Sequence, residues 1–81
     1  MITGLQIRSG RAALRLSAEQ LAELSGVSAR TIKRMEAENG VPRSTKANLV
    51  TIRSILEAAG IEFIGTPDDA PGIRIHGDCR P

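Results

Sequence analysis

One histidine, His76, and one cysteine, Cys79, stand three residues apart near the end of an 81-residue chain. A structural zinc site needs four ligands and a disulfide needs a second cysteine, so neither is expected of them. His76 reads as a strand-end residue and Cys79 as a tail thiol. A nucleophile beside a base, or paired carboxylates in a cleft, is not concentrated anywhere along the chain, so neither an enzyme nor a cofactor is expected. What the chain does concentrate is positive charge. Residues 1–59 hold nine Lys or Arg against five Glu, whereas residues 60–81 hold Arg74 and Arg80 against Glu62, Asp68, Asp69 and Asp78. The formal charge of +2 therefore hides a basic first part, which is the part an anionic partner would meet.

Composition narrows the partner. Phe63 is the only aromatic side chain, which argues against proteins that stack single-stranded bases on aromatic platforms. No apolar run approaches the roughly 18 residues that cross a bilayer, and Met1-Ile2-Thr3-Gly4 lacks the charged start and apolar stretch of a signal peptide. A cytoplasmic location without membrane contact is expected. The length fits one domain with a thin core, and 41% apolar with 25% charged residues is a globular balance.

The elements that must position these charges announce themselves by their starts. Thr3 followed by Gln6, between Ile2 and Ile7, is a capping box with a hydrophobic staple, and Ser17 followed by Gln20, between Leu16 and Leu21, repeats it. Ser28 is a third cap with Val27 and Ile32 as its staple, with Thr31 in place of the usual Glu or Gln. The pattern predicts helices over about 4–14, 18–25, 29–38 and 45–59, with Gly26, Asn39-Gly40 and Gly60 as breakers. Ile7, Gly10 and Leu14 mark the inward face of the first, Leu21 and Leu24 of the second, Ile32 and Met35 of the third. The fourth carries a wide stripe of Leu49, Ile52, Leu56 and Ala59, with Val50 and Ile55 beside it. Gly10 lies mid-helix, where Ala would be more favourable by about 1 kcal/mol, so close packing explains it best.

Beyond Gly60 the periodicity changes. Ile61 to Ile64 and Ile73 to His76 alternate and are rich in β-branched residues, and the segment 65–72 between them is full of turn formers. The fold class expected is mainly α, with four to five helices and a short C-terminal β-hairpin or strand. Residues 1–60 form the helical unit, 61–76 the strand element and 77–81 a loose tail.

The informative stretch runs from Leu16 to Glu36. Two short helices are joined by Ser25-Gly26-Val27, where Gly26 permits a positive φ and Ala22 allows close helix approach. Small Ala22, Gly26, Val27, the Ser28 cap, Ile32 and the ending Arg34-Met35-Glu36 fall in an order that resembles the helix-turn-helix of the phage repressor and Cro family, over about residues 4–59. Gln, frequent in that family at the first position of each motif helix, is replaced here by Ala18 and Ala29. The resemblance implies a lambda-repressor-like domain that binds double-stranded DNA and regulates transcription, as a repressor occupying an operator, with no cofactor and no small-molecule ligand. It implies that the second motif helix enters the major groove and that its outward residues, Ala29, Arg30, Lys33 and Arg34, read base edges. Arginine can donate two hydrogen bonds to guanine O6 and N7, and Ala29 can touch a thymine methyl.

The resemblance also places phosphates against the amide groups near Ser17 and Ala18 and against the loop Arg43, Ser44, Thr45 and Lys46, since helix N-termini favour anions. Ser17 and Thr45 are equally readable as caps alone. Arg11 and Glu36 match a family pair joining the first helix to the end of the third, a structural tie that also holds the arginine near phosphate. A single motif covers few base pairs, so a homodimer on a pseudo-palindromic operator is expected, with Leu49, Ile52, Leu56, Ile61, Phe63 and Ile64 as its surface. Two rivals remain open at this point: the DNA-binding antitoxin of a toxin pair, with a toxin protein as second partner, and an adaptor that uses the same fold to bridge proteins.

Overall fold

The computed structural model describes residues 2–76; the segment 77–81, for which the sequence suggests a loose tail carrying the Cys79 thiol, lies outside them. Helices α1 (Gly4–Ala13), α2 (Ala18–Ser25), α3 (Ala29–Glu36) and α4 (Lys46–Ala58) are followed by strands β1 (Ile61–Thr66) and β2 (Asp69–Ile75), paired antiparallel. The fold is mainly α with a two-stranded hairpin. No described helix is long and apolar enough to cross a membrane.

Each helix begins where a side chain takes up an otherwise unpaired N–H. Thr3 Oγ1 accepts from Gln6 N–H at 3.0 Å while Gln6 Oε1 accepts from Thr3 N–H at 2.8 Å, and Ser17 with Gln20 does the same. Ser28 Oγ accepts from Thr31 N–H and donates to Thr31 Oγ1, so the threonine closes the third cap through its hydroxyl. The staple pairs Ile2 and Ile7, Leu16 and Leu21, and Val27 and Ile32 are all buried. Between α2 and α3, Gly26 adopts φ +76°, a conformation that costs an L-residue roughly 1–2 kcal/mol.

Helix α2 corrects one expectation. Leu24 is 53% exposed, because the face turned inward is Ala18, Leu21 and Ala22, and Leu24 falls outside that stripe. Helix α3 also stops at Glu36, two residues short of the expected end. There Glu38 N–H turns back to Met35 O, the Glu38 carboxylate accepts from Arg43 N–H at 2.9 Å, and Gly40 O accepts from Gly4 N–H at 2.9 Å. The chain leaves the helix to meet the start of α1. That meeting is close: a Cβ on Gly4 would run into the carbonyl oxygens of Met35 and Glu38. The positive end of α1 thus sits on the negative end of α3, a favourable arrangement of helix dipoles.

Leu49, Ile52, Leu56 and Ile61, expected on a dimer surface, are at most 5% exposed within the single chain. Helix α4 is surrounded by α1, α2 and β1, so its wide stripe is satisfied internally. Phe63 is half-buried against the same core, with the Arg53 guanidinium 6.0 Å from its ring centre, and Ile64 is half-buried as well. Gly10 is buried where a Cβ would stand 3.3 Å from Ile61, the close packing expected of it. The hairpin is longer than the alternation suggests. Pairing runs from Ile61 opposite Ile75 to Thr66 opposite Asp69, with a bulge between Ile64 and Thr66, so most of the expected loop is strand and only Pro67-Asp68 turns. His76 lies just beyond β2, where its N–H donates to Gly60 O. Gln6 fastens the hairpin to α1: its Nε2 donates to Ile64 O and to Gly72 O, at 3.1 and 2.8 Å.

Helix α1 ends in an unusual way. Leu16 N–H reaches back to Arg11 O and Arg15 N–H to Ala12 O, which puts Arg15 at φ +59° in the position where glycine is favoured. Two expected outcomes follow from these backbones, each measurable by chemical or thermal unfolding. Gly4→Ala is expected to destabilise by about 3 kcal/mol, because backbone rather than a flexible side chain must give way. Arg15→Gly is expected to stabilise by about 1 kcal/mol through relief of the left-handed strain.

Candidate nucleic-acid interface

Helix α3 is only eight residues long, and its alternation of types divides it cleanly. Ile32 and Met35 face the core at 0% and 1% exposure, while Arg30, Lys33 and Arg34 are exposed and Ala29 is half-buried. Arg30 and Arg34 are four residues apart, so their Cβ atoms are neighbours, about 6 Å apart, on one outward face. Neither guanidinium engages an ion pair among the described residues, where the pairs are Arg11 with Glu36, Lys33 with Glu19, Arg53 with Glu57, and Arg74 and His76 with Glu62.

Lys33 differs from its neighbours. Its Nζ donates to Glu19 Oε2 at 2.8 Å, linking the middle of α3 to the first turn of α2. The Glu19 carboxyl is held below the usual carboxylate range, first by the hydrogen bond from Lys33 and then by its own backbone N–H. A depressed carboxyl keeps its charge through neutral pH, so the pair persists there and opens only as acid carries the pH down through the lowered value. The start of α2 is therefore less open to an anion than its amides alone suggest. Ser17 Oγ serves Gln20 N–H, Ala18 buries its methyl in the core, and the carboxylate of Glu19 occupies the same turn.

Arg11 and Glu36 meet as the sequence suggests. Nε and one terminal nitrogen of Arg11 donate to the two carboxylate oxygens of Glu36, both at 2.7 Å, and the other terminal nitrogen donates to Leu16 O at 2.8 Å. The hydrogen bonds with Glu36 outweigh the partial loss of solvent and push the guanidinium pKa up, so it is charged throughout. Arg8 adds a hydrogen bond to Glu36 O at 3.1 Å. The end of α3 is held by three bonds from two α1 arginines, and three of the five Arg11 donors are engaged in structure.

The segment before α4 is exposed at Arg43, Thr45 and Lys46 and half-buried at Ser44. Thr45 Oγ1 caps α4 by accepting from Asn48 N–H at 3.2 Å, and Ser44 N–H donates to Pro42 O. Arg43 and Lys46 enter no ion pair among the described residues. Arg15 is a cation that helical spacing passes over: exposed, left-handed, and two residues before the α2 cap. Its only signal in the sequence is its position, one residue past the end of a helix, where glycine is usual.

A small cleft beside α4 is lined by Ile2, Lys46, Leu49, Val50 and Arg53, with no nucleophile and base together. Glu62 gathers Arg74 and His76 on the exposed hairpin, and no group of three or more potential metal ligands converges among the described residues.

The Arg11 and Glu36 pair generates a direct expectation. Glu36 is 7% and Arg11 22% exposed, so removing the carboxylate strands a partly buried cation. Glu36→Ala is expected to cost about 2–4 kcal/mol in thermal unfolding, against less than about 0.5 kcal/mol for Glu23→Ala on the exposed face of α2.

No protein-family model and no curated protein matches the chain.

Proposed function

We propose that the chain is a sequence-specific double-stranded DNA-binding protein of the phage repressor and Cro type, lambda-repressor-like in its helical part, and a transcriptional repressor. The observation that carries it is a pair of exposed arginines without ion-pair partners among the described residues, Arg30 and Arg34, on a short helix whose other face is buried and whose end is clamped. Long cations on a rigid support can deliver bidentate hydrogen bonds to guanine with little loss of freedom on binding. Ala29, half-buried at the first turn of α3, supplies a methyl for thymine. Arg43, Lys46, the cap Thr45 and the strained Arg15 hold phosphate. Arg11 acts through its tie to Glu36, with two N–H groups left for a phosphate oxygen.

A half-site of a few base pairs gives modest affinity, so the operator is a pseudo-palindrome bound by two copies with α3 helices about 34 Å apart. Since the α4 stripe is used internally, the second copy meets the hairpin, where Ile75 is 56% exposed and Phe63 and Ile64 are half-buried. Repression follows from occupancy of the operator.

Binding to a site selected from random DNA tests the proposal. Arg30→Ala or Arg34→Ala is expected to lose about 1–3 kcal/mol on that site and far less on random duplex, because base contacts carry discrimination. Arg43→Ala or Lys46→Ala is expected to weaken all duplexes alike and to reduce the salt slope by about one unit. Arg15→Gly separates fold from function, with higher stability and weaker DNA binding in the same protein. Equal losses from Arg30→Ala on selected and random DNA would contradict the assignment of the reading face.

A further inference from the structure

Among the described residues, Lys33 is the one outward cation of α3 that is paired, and the carboxylate that pairs with it belongs to the neighbouring helix. Both partners remain about 60% exposed, at 62% for Lys33 and 63% for Glu19, so the pair lies on the surface and is no part of the core. Exposed pairs of this kind add little to stability. Stability therefore does not explain the pair, which lies on a helical part whose exposed cations, besides Lys33, are Arg8, Arg15, Arg30, Arg34, Arg43 and Lys46. Two features of Glu19 act in one direction. It engages the Lys33 ammonium, and it adds a negative charge beside the amides of the first turn of α2. Each removes something a phosphate would use.

We infer that Glu19 limits DNA affinity by holding Lys33 out of the phosphate contacts and by occupying the start of α2. The inference rests on the DNA-binding reading. A lysine paired with a carboxylate displaces no counterion when DNA arrives, so it contributes nothing to the salt-dependent attraction that every duplex shares. A cation removed from that attraction leaves sequence preference to Arg30 and Arg34. Lys33 is then a residue of the surface without being a reader of bases.

A double-mutant cycle tests this with a fluorescent random-sequence duplex, its anisotropy followed over a series of salt concentrations. Glu19→Gln keeps shape and polarity, and is expected to raise affinity about tenfold near 0.1 M salt and to steepen the salt slope by about one unit, as one freed cation should. Lys33→Ala in the Glu19→Gln background is expected to cancel most of the gain, whereas Lys33→Ala alone strands the Glu19 carboxylate and is expected to weaken binding. Far-ultraviolet circular dichroism and the melting temperature confirm that all three variants are folded. A Glu19→Gln gain that persists in full when Lys33 is also replaced by Ala, or a Glu19→Gln protein that binds as the parent does, would overturn the inference while leaving DNA binding intact. A parent protein that binds no duplex at low salt would overturn the DNA-binding reading, and this inference with it.

Discussion

The bond between Arg11 and Glu36 sets the geometry on which the rest depends. An eight-residue helix is too short to persist by itself, since nucleation is unfavourable and few backbone bonds follow it. Helix α3 persists because Ile32 and Met35 are buried along it and because its last residue is gripped from α1. The grip is planar and bidentate, which fixes direction as well as distance. Its third arm, from Arg11 to Leu16 O, fastens the turn into α2 to the same guanidinium. One side chain therefore coordinates three helices. Gly4 belongs to the same constraint, because only a residue without a Cβ lets α1 begin against the carbonyls that end α3.

The remaining parts close the body around this frame. Helix α4 fills the centre with Leu49, Ile52 and Leu56, and Ile61 at the start of β1 seals it against Gly10. The hairpin is attached through the amide of Gln6, whose oxygen caps α1 while its nitrogen holds two carbonyls of the strands. An acidic hairpin and a basic helical part are thus joined without an ion pair between them among the described residues. The division of charge visible in the sequence carries through to a division between structural elements.

What the sequence displays is the chemistry of neighbours. Caps and staples involve residues three to five apart, and Thr3 with Gln6, Ser17 with Gln20 and Val27 with Ile32 are legible because helical geometry fixes their distance in advance. The link of Arg11 to Glu36 spans 25 residues and was legible only through resemblance. Contacts without such a guide were not. Lys33 meets Glu19 across two helices, and Gly4 touches the far end of α3. The α4 stripe misleads because its width counts how many elements cover it, and periodicity cannot say whether those belong to the same chain. Leu24 misleads in the opposite direction, since an eight-residue helix offers too few residues to fix its inward face to within one position. The left-handed Arg15 has no compositional mark, because the backbone is dictated by the turn and not by the residue.

In the proposed function a helix clamped by Arg11 and Glu36 presents Arg30 and Arg34 to base edges. Selection of bound duplexes from a random pool addresses it most directly, because the outcome reports sequence preference without assuming an operator. Enrichment of a short half-site with guanine at fixed positions, repeated in inverted orientation about one helical turn away, is the result expected. A pool recovered without enrichment, at a salt concentration where the protein still retains duplex, would contradict the claim.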